Sequence, residues 1–541
     1  MFNWNILGKY EDDDVVLSIL KGRGIKDKKD FLKDLSLNES FDKFSSDFKK
    51  SLKKAKDLIN KEIDRESNIV IFGDYDSDGI NATAILYNYL KDERKYKKVS
   101  YFIPNRFEHS YGLSKRAIDD VVGRFKKGEN ILFITVDVGI TAYEEVSYIK
   151  KLGYGIVLTD HHQKPDKIPP ADCILWSDEI CGALISWILA KALGSKNTES
   201  VSLASIATIT DLQTVLGFNR VIVKKGLEVL SKKPPLGIKK LLEASGKGVG
   251  DISTYEVGWI IGPRLNAAGR LETAEDSIKL LTEKDEKELE KLAEKLNTKN
   301  IQRQEKTLEM YEIASTVDNG EIPKVIFSSD EKYHEGVIGL VAAKLVQKYY
   351  RPSIVICLMD GYAKGSARSI PGVNIIEMLR NFEDLFIDLG GHPMAAGFTI
   401  EKKNISKLER KIKKYAEEKI SENVFIPTIT IDLEIPAAII TDEMLMEVDN
   451  LKPFGIGNEQ PVFISRGLGV VNSSVIGKDE KHLKLSLYDG EKYFKAVYFE
   501  GAEFEKDLNT GDKIDLVYTL KKNEYNGSSY IDLIVKDYRK V

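Results

Sequence analysis

Three aspartates at alternate positions, Asp74, Asp76 and Asp78 in FGDYDSDG, follow directly on the apolar run NIVI. In an extended segment alternate side chains share a face, so the spacing predicts three carboxylates pointing one way where a buried strand ends. Like charges held that close raise one another's pKa unless a cation lies between them. Solubility requires no such arrangement. Three further segments offer donors: Asp137 after ILFITV, Asp160, His161 and His162 in TDHH, and Asp211 in ATITDLQ. Taken singly, each aspartate reads as a helix cap or a turn. Together they read as one metal centre. Oxygen donors with one or two imidazoles suit Mn²⁺ or Mg²⁺ better than zinc. A set this acidic has room for two ions about 4 Å apart, the arrangement that serves phosphoryl transfer. Asp160 reads as the partner that orients a histidine.

The elements that must position these residues alternate in type from residue 68 onward. NIVIFG, KKVSYFIPNR, ILFITVDVG and GYGIVLTDHH read as buried strands, each followed by helical or loop sequence. That order implies a parallel sheet with right-handed crossovers, and the acidic and histidine segments fall at the strands' carboxyl ends, where open α/β sheets bind ligands. Residues 274–315 carry Leu289, Leu292 and Leu296 at helical spacing amid dense charge, which predicts a long, mostly solvated connecting helix. A second α/β unit begins near PKVIFSSD. The last 115 or so residues, including TITIDLEI, HLKLSLYDG, YFKAVYFE, KIDLVYTL and SYIDLIVKDY, alternate like strands of a small barrel. The fold class is therefore α/β: a parallel-sheet domain, a connecting helix, a second α/β domain and a C-terminal β-barrel. The expected boundaries are 1–50 for an N-terminal segment, then 51–273, 274–320, 321–420 and 421–541.

Few basic residues accompany these motifs, but their neighbours suit phosphate. Arg106 in IPNRFEHSYG, Arg264, Asn266 and Arg270 in GPRLNAAGR, and Ser366, Arg368 and Ser369 in GSARS supply planar forks and small hydrogen-bonding partners. Gly390 and Gly391 before His392 leave room for a ligand. In the C-terminal region Phe494, Tyr498, Tyr525 and Tyr530 are candidate stacking rings, with Lys521 and Lys522 nearby and Tyr525 the best exposed candidate.

At 541 residues, 42% hydrophobic and 30% charged, the chain is an ordinary globular sequence of several domains. Its formal charge of −4 argues against binding nucleic acid by net charge alone. Cys173, Cys181 and Cys357 lack CxxC spacing and read as reduced thiols of a cytoplasmic protein. No window approaches the apolar length of a membrane span, and the opening residues carry neither a basic leader nor an apolar signal core.

In order and spacing, GDYDSDG, VDVGI, TDHH and TDLQ resemble the motifs of the DHH phosphoesterase superfamily. GSARS and GGHPMAAGF look like the DHHA1 domain that follows it. IPNRFEHSYGLS, GPRLNAAGRL and KPFGIGNEQPVF narrow the resemblance to the RecJ family of single-strand-specific 5′→3′ DNA exonucleases. The resemblance implies metal ligation by Asp76, Asp78, Asp137, His161 and Asp211, with Asp74 a further ligand or a neighbour that tunes them. It implies that His162 contacts the scissile phosphate. Arg368 with Ser366, and also Arg106 and Arg270, would hold a terminal 5′ phosphate, and an OB fold at the C-terminus would bind single strands. It implies action in DNA repair and recombination, by a monomer working beside a single-strand-binding protein and a helicase. Many relatives carry a histidine four residues before the first ligating aspartate; here that position is Phe72, so one tightly held Mn²⁺ is expected above a symmetric pair. Two other readings differ in kind: a phosphodiesterase of oligonucleotides or cyclic dinucleotides, and a non-enzymatic scaffold. The barrel counts against the first and the intact ligand set against the second.

Overall fold

The computed structural model describes residues 2–10, 14–33, 41–42, 44–109, 112–315, 321–525 and 528–541. They form two compact units, one of Leu35–Lys419 with Gly455–Gly457, the other of Met1–Asp34, Ile420–Phe454 and Asn458–Val541.

The chain opens with β1 (Asn3–Ile6), which belongs to the smaller unit. In the larger unit, α1 (Ser46–Asp64) leads into β2 (Asn68–Phe72), which is followed by α2 (Ser77–Asn88), β3 (Val99–Phe102), α3 (Arg106–His109), β4 (Ile131–Val136), β5 (Gly155–Asp160) and β6 (Cys173–Trp176). The strands lie in the order β3-β2-β4-β5-β6, all parallel. Phe72 stands opposite Thr135 and Val136 opposite Thr159, so the carboxyl ends of β2, β4 and β5 finish level at one edge. Both faces are covered, as the near-continuous apolar runs require. Ile69 and Ile71 join the core beneath α1, α2 and the mostly buried α4 (Gly182–Leu193), while Val70 and Phe72 pack on the opposite side.

The larger unit continues with α5 (Ser200–Thr210), α6 (Gly262–Leu271), α7 (Glu275–Thr282) and α8 (Glu286–Ala314). The solvated connector expected over 274–315 is instead two helices with buried faces. Leu289, Leu292 and Leu296 of α8 belong to the first core, Met310 and Ala314 to the second. Dense charge hid that stripe because three leucines in eight residues define one face without showing what covers it. The second sheet comprises β7 (Ile326–Asp330), β8 (Ser353–Leu358), β9 (Tyr362–Arg368), β10 (Phe386–His392) and β11 (Ala395–Glu401), in the order β10-β11-β9-β8-β7, with α9 (Ile338–Tyr349) joining β7 to β8.

In the smaller unit β1 pairs in parallel with β12 (Thr428–Ile431), and β13 (Leu433–Glu434) pairs with β14 (Phe463–Ile476). TITIDLEI therefore supplies no barrel strand. The barrel is β14, β15 (His482–Tyr488), β16 (Tyr493–Tyr498), β18 (Ser528–Lys540) and β17 (Lys513–Tyr525), closed by pairing of β14 with β17. Its connectivity is that of an OB fold. Among the described residues no helix is long and apolar enough to cross a membrane.

Candidate metal centre and the arginine cluster beside it

The strand expected to carry three aspartates on one face ends at Phe72, so Asp74, Asp76 and Asp78 do not share a strand face. Glycine allows the turn: a Cβ on Gly73 would sit 2.0 Å from Thr83 Oγ1, and one on Gly79 would sit 2.6 Å from the Asp74 backbone. Asp76 is the N-cap of α2, its Oδ1 accepting from the N–H groups of Asp78 (2.9 Å) and Gly79 (3.1 Å). Asp78 lies in the first turn, where the N–H groups of Gly182 and Ala183, opening α4, each donate to its carboxylate at 2.7 Å. Two helix N-termini thus face one buried acid, a favourable dipole arrangement. Asp74 accepts from the Tyr75 N–H.

Asp137 leaves β4 at φ 63°, a strained setting for a residue with a Cβ, and β-carbon-free Gly182 lets it in: a Cβ there would lie 2.5 Å from Asp137 Cβ. His161 Nε2 stands 3.1 Å from Asp137 Oδ1, 3.6 Å from Asp78 Oδ2 and 3.7 Å from Asp211 Oδ2. Both His161 Nε2 and Asp137 Oδ1 are buried without a hydrogen-bond partner. Ligand atoms of Asp78, His161 and Asp211 lie within 4.8 Å of one another, as do those of Asp74, Asp76 and Asp137 and those of Asp137, His161 and His162. Donor atoms converging from four segments, two of them orphaned, fit a divalent cation, and Asp137 joins two of the three groups. The residues present accommodate one ion or an adjacent pair.

Electrostatics point the same way. Burial, then the neighbouring Asp76, pushes Asp74 up to about 8; burial, then Asp78, does the same to Asp211. Asp76 and Asp137 are also raised, by burial and by the aspartates around them. A cation relieves all four shifts. Asp160 differs. Burial alone would raise its pKa, but hydrogen bonds from His162 and from the N–H groups of Ile140 and His162 hold it low. It therefore serves as a brace: its Oδ1 meets His162 Nδ1 at 2.7 Å, and burial's downward pull on His162 is outweighed, leaving that imidazole near 9.

Phe72 is fully buried against Phe102 and offers no ligand. His162 and Asp160 line a cleft of about 820 Å³ together with Lys164, Gly390, Gly391 and the exposed His392. Asn266 and Ser369 are engaged inside the fold: Asn266 Oδ1 accepts from the Ser77 N–H (2.7 Å), and the Ser369 hydroxyl donates to the Val373 carbonyl (2.6 Å). Arg264 donates to Asn297 Oδ1 and the Ile260 carbonyl.

Arg106, Arg270 and Arg368 do gather, and Arg303 of α8 joins them. Burial, then Arg106, Arg303 and Arg368, pushes Arg270 down to about 10. Arg106 lies 4.4 Å over the Tyr75 ring, and its Nε and that of Arg303 are buried without partners. Arg368 donates to the Ser366 hydroxyl (3.1 Å) and the Ala367 carbonyl. Gly339, in the first turn of α9, makes the space: a Cβ there would be 3.0 Å from Arg368 Nη2 and 3.1 Å from Ser366 Oγ. Among the described residues none of these arginines forms an ion pair with a carboxylate. Sequence reading missed Arg303, because in IQRQEK it is one of two cations within a charged run.

The Tyr525 side chain lies outside the described residues. Phe494 is buried in the barrel and Tyr498 stacks on Phe504, so neither is a free platform. Exposed rings include Tyr493, paired across the strands with Tyr488 (centroids 4.8 Å apart), and Tyr530, with Lys495 Nζ 4.4 Å above it.

Comparisons with known proteins follow the same division. Residues 68–210 match the DHH family N-terminal domain, 323–418 the DHHA1 domain and 431–537 the RecJ OB domain. The single-stranded-DNA-specific exonuclease RecJ of Bacillus subtilis (strain 168) is 33% identical over 90% of this chain, which spans 63% of that protein; the Thermus thermophilus RecJ is 29% identical, over 91% and 71%. A crystal structure of T. thermophilus RecJ with Mn²⁺ superposes with a TM-score of 0.83 at 26% identity, covering the whole of this chain and 80% of that one. A manganese-bound exonuclease RecJ is 30% identical, with a TM-score of 0.60 over 69% of this chain and 96% of that one. With the three domains in this order along the sequence and a carboxylate–imidazole centre in the first, the chain belongs to the RecJ family.

Proposed function

We propose that the chain is a metal-dependent 5′→3′ exonuclease of single-stranded DNA, serving repair and recombination. The observation that carries this reading is the presence of two oppositely charged clusters in one unit: carboxylates with His161 in one, four arginines without carboxylate partners in the other. Asp74, Asp76, Asp78, Asp137, His161 and Asp211 would hold Mn²⁺ or Mg²⁺. Bound divalent cations acidify water and offset the charge that grows on a phosphate.

The chain's own residues do the rest. Asp160 fixes the His162 ring, whose imidazolium faces the cleft and grips a phosphate oxygen. Arg106, Arg270, Arg303 and Arg368, with Ser366, hold the terminal 5′ phosphate and so set the step at which the strand is cut. Arg264, Asn266, Ser369 and His392 support that geometry, the first three through helix and turn contacts and His392 from the cleft. The barrel rings bind the strand further along. In this reading residues 51–273 perform the chemistry, 274–320 connect, 321–420 complete the pocket and 421–541 hold the strand. Action as a monomer in the cytoplasm, beside a single-strand-binding protein and a helicase, extends it from the family resemblance.

The test is digestion of end-labelled single- and double-stranded DNA with Mn²⁺, with Asp137→Ala as control. Single strands should be shortened from the 5′ end and duplexes spared. Cleavage restricted to dinucleotides or cyclic dinucleotides would establish the small-substrate reading instead.

A further inference from the structure

One feature of the larger unit lies outside both clusters. Thr254–Glu256, Val257–Ile261 and α6 form one continuous helix whose middle turn is a π-helix. Pro263, at the start of α6, has no N–H to give the Trp259 carbonyl, and the widened turn follows from that. The turn carries Trp259, 69% exposed, stacked on Tyr255, 62% exposed, with centroids 6.1 Å apart and planes 30° apart. Two large rings held in solvent gain nothing for folding.

Their position joins them to the site. Trp259 lies on the same continuous helix as Asn266 and Arg270. At 1.5 Å per residue Trp259 stands about 10 Å along the axis from Asn266 and about 16 Å from Arg270. Asn266 holds Ser77 between Asp76 and Asp78. Gly262, one turn from Trp259, abuts Thr210, where a Cβ would come within 2.3 Å of Thr210 Cγ2, and Thr210 precedes Asp211. The intervening charge is positive: Arg264 bonds only neutral oxygens and lies within electrostatic reach of Arg303. Glu256, the acid beside the rings, is engaged by Ser253 and Lys247.

We infer that the Tyr255–Trp259 pair is a stacking platform for unpaired bases of the substrate strand, on the far side of the metal centre from the arginine pocket. This rests on the reading of the site as a single-strand nuclease. Bases stack on exposed rings irrespective of sequence, and Arg264, between Trp259 and Asn266 along the helix, grips the backbone. With the 5′ phosphate at Arg270, the order Arg270, Asn266, Trp259 assigns the platform to the strand retained after each cut. The rings then keep the enzyme on its substrate between cuts.

Equilibrium binding tests this without requiring turnover. The full chain is titrated with a 20-nucleotide oligothymidylate and with a trinucleotide, following tryptophan emission, for wild type, Trp259→Phe, Trp259→Ala and Tyr255→Ala. The long strand should quench wild-type emission, and most of that quench should vanish in Trp259→Phe while affinity is largely kept. Trp259→Ala should weaken binding of the 20-mer about tenfold. The trinucleotide should discriminate the variants far less. Equal quenching in wild type and Trp259→Phe, or equal losses on both lengths, overturns the platform. Failure of wild-type protein to digest the 20-mer in a parallel assay overturns the nuclease reading separately.

Discussion

The acidic and basic clusters of the larger unit are mirror images electrostatically, yet they are built differently. Asp74, Asp76 and Asp78 are anchored by backbone N–H groups from two helix N-termini and a short turn, Asp211 accepts from the Gln213 side chain, and Asp137 Oδ1 has no partner. The arginines come from α3, α6, α8 and β9, and two of them keep an unpartnered buried Nε. Both clusters raise the energy of the empty fold, because like charges are gathered with little water around them. A cation relieves one and a phosphate the other. Under the proposed function, a 5′-phosphorylated strand with divalent metal would relieve both at once, and that complementarity would be the physical content of end recognition.

The sharpest way to break the comparison is Asp137→Asn. It removes the carboxylate common to two of the metal groupings, and hydrolysis should fall at least about 10³-fold, several kcal/mol of transition-state stabilisation. Without metal the variant should melt no lower than wild type, since a buried repulsion is gone. Wild type should gain roughly 2.7 kcal/mol of stability at a Mn²⁺ concentration a hundred times its Kd, and the variant much less, as calorimetry with and without Mn²⁺ will measure. A variant that melts lower without metal would mean that Asp137 holds the fold rather than the ion.

Arg270→Ala probes the opposite cluster. Loss of a charged hydrogen bond to phosphate costs roughly 2 kcal/mol, so KM for a 5′-phosphorylated strand should rise about thirtyfold. KM for a 5′-hydroxyl strand should change little, which removes the preference between the two ends. Comparing the two substrates under identical conditions checks this, and an equal rise in KM on both would place Arg270 outside end recognition.

The contrast also explains what could be read from sequence. Each metal donor directly follows an apolar strand or helix, so periodicity alone located Asp137, His161 and Asp211 at one sheet edge. The same reading erred at Asp74–Asp78, because alternation is shared by a strand and by a glycine turn into a capped helix. Arg303 was illegible: the arginines it gathers with are more than thirty residues away in sequence, and nothing nearby marks it. The pairing of β1 with β12 spans more than four hundred residues and leaves no local trace. In the barrel, alternation identified strands but not which face was covered, so buried Phe494 was chosen where exposed Tyr493 stands.

A third charged group, within the helices, sharpens the comparison from the other side. Lys299 donates to Asp276 and Glu272 at 2.8 Å each, and Lys295 meets Asp276 at 3.0 Å. This network is balanced and needs no ligand. Burial would raise the Asp276 pKa, but the bonds from Lys299 and Lys295 outweigh it and hold the group below its ordinary value. A depressed carboxylate stabilises the fold fully above its unfolded pKa, near 3.9, and loses that contribution as pH falls through the folded value. Asp276→Asn should therefore cost about 2 kcal/mol at pH 7, with the gap to wild type closing below pH 4. Urea titrations at pH 7 and pH 3 measure both, and a gap that stays constant would show that packing, not charge, holds α7 to α8.

The smaller unit offers the mildest contrast, since its candidate surface holds no buried charge at all. Tyr493 is 72% exposed beside Tyr488, and Lys495 covers Tyr530 on the adjoining strand. Rings and lysines already in water are neither desolvated nor strained before a ligand arrives. Such a surface contributes affinity without storing energy in the empty fold. Tyr493→Ala should leave the melting temperature and the end preference unchanged while weakening single-strand binding by about 1 kcal/mol, roughly fivefold. The loss should be smaller at high salt only if Lys495 acts with the ring, because stacking itself releases no counterions. Fluorescence anisotropy of a labelled oligothymidylate at two salt concentrations separates the two contributions, and an unchanged affinity at both would remove this face from the strand's path.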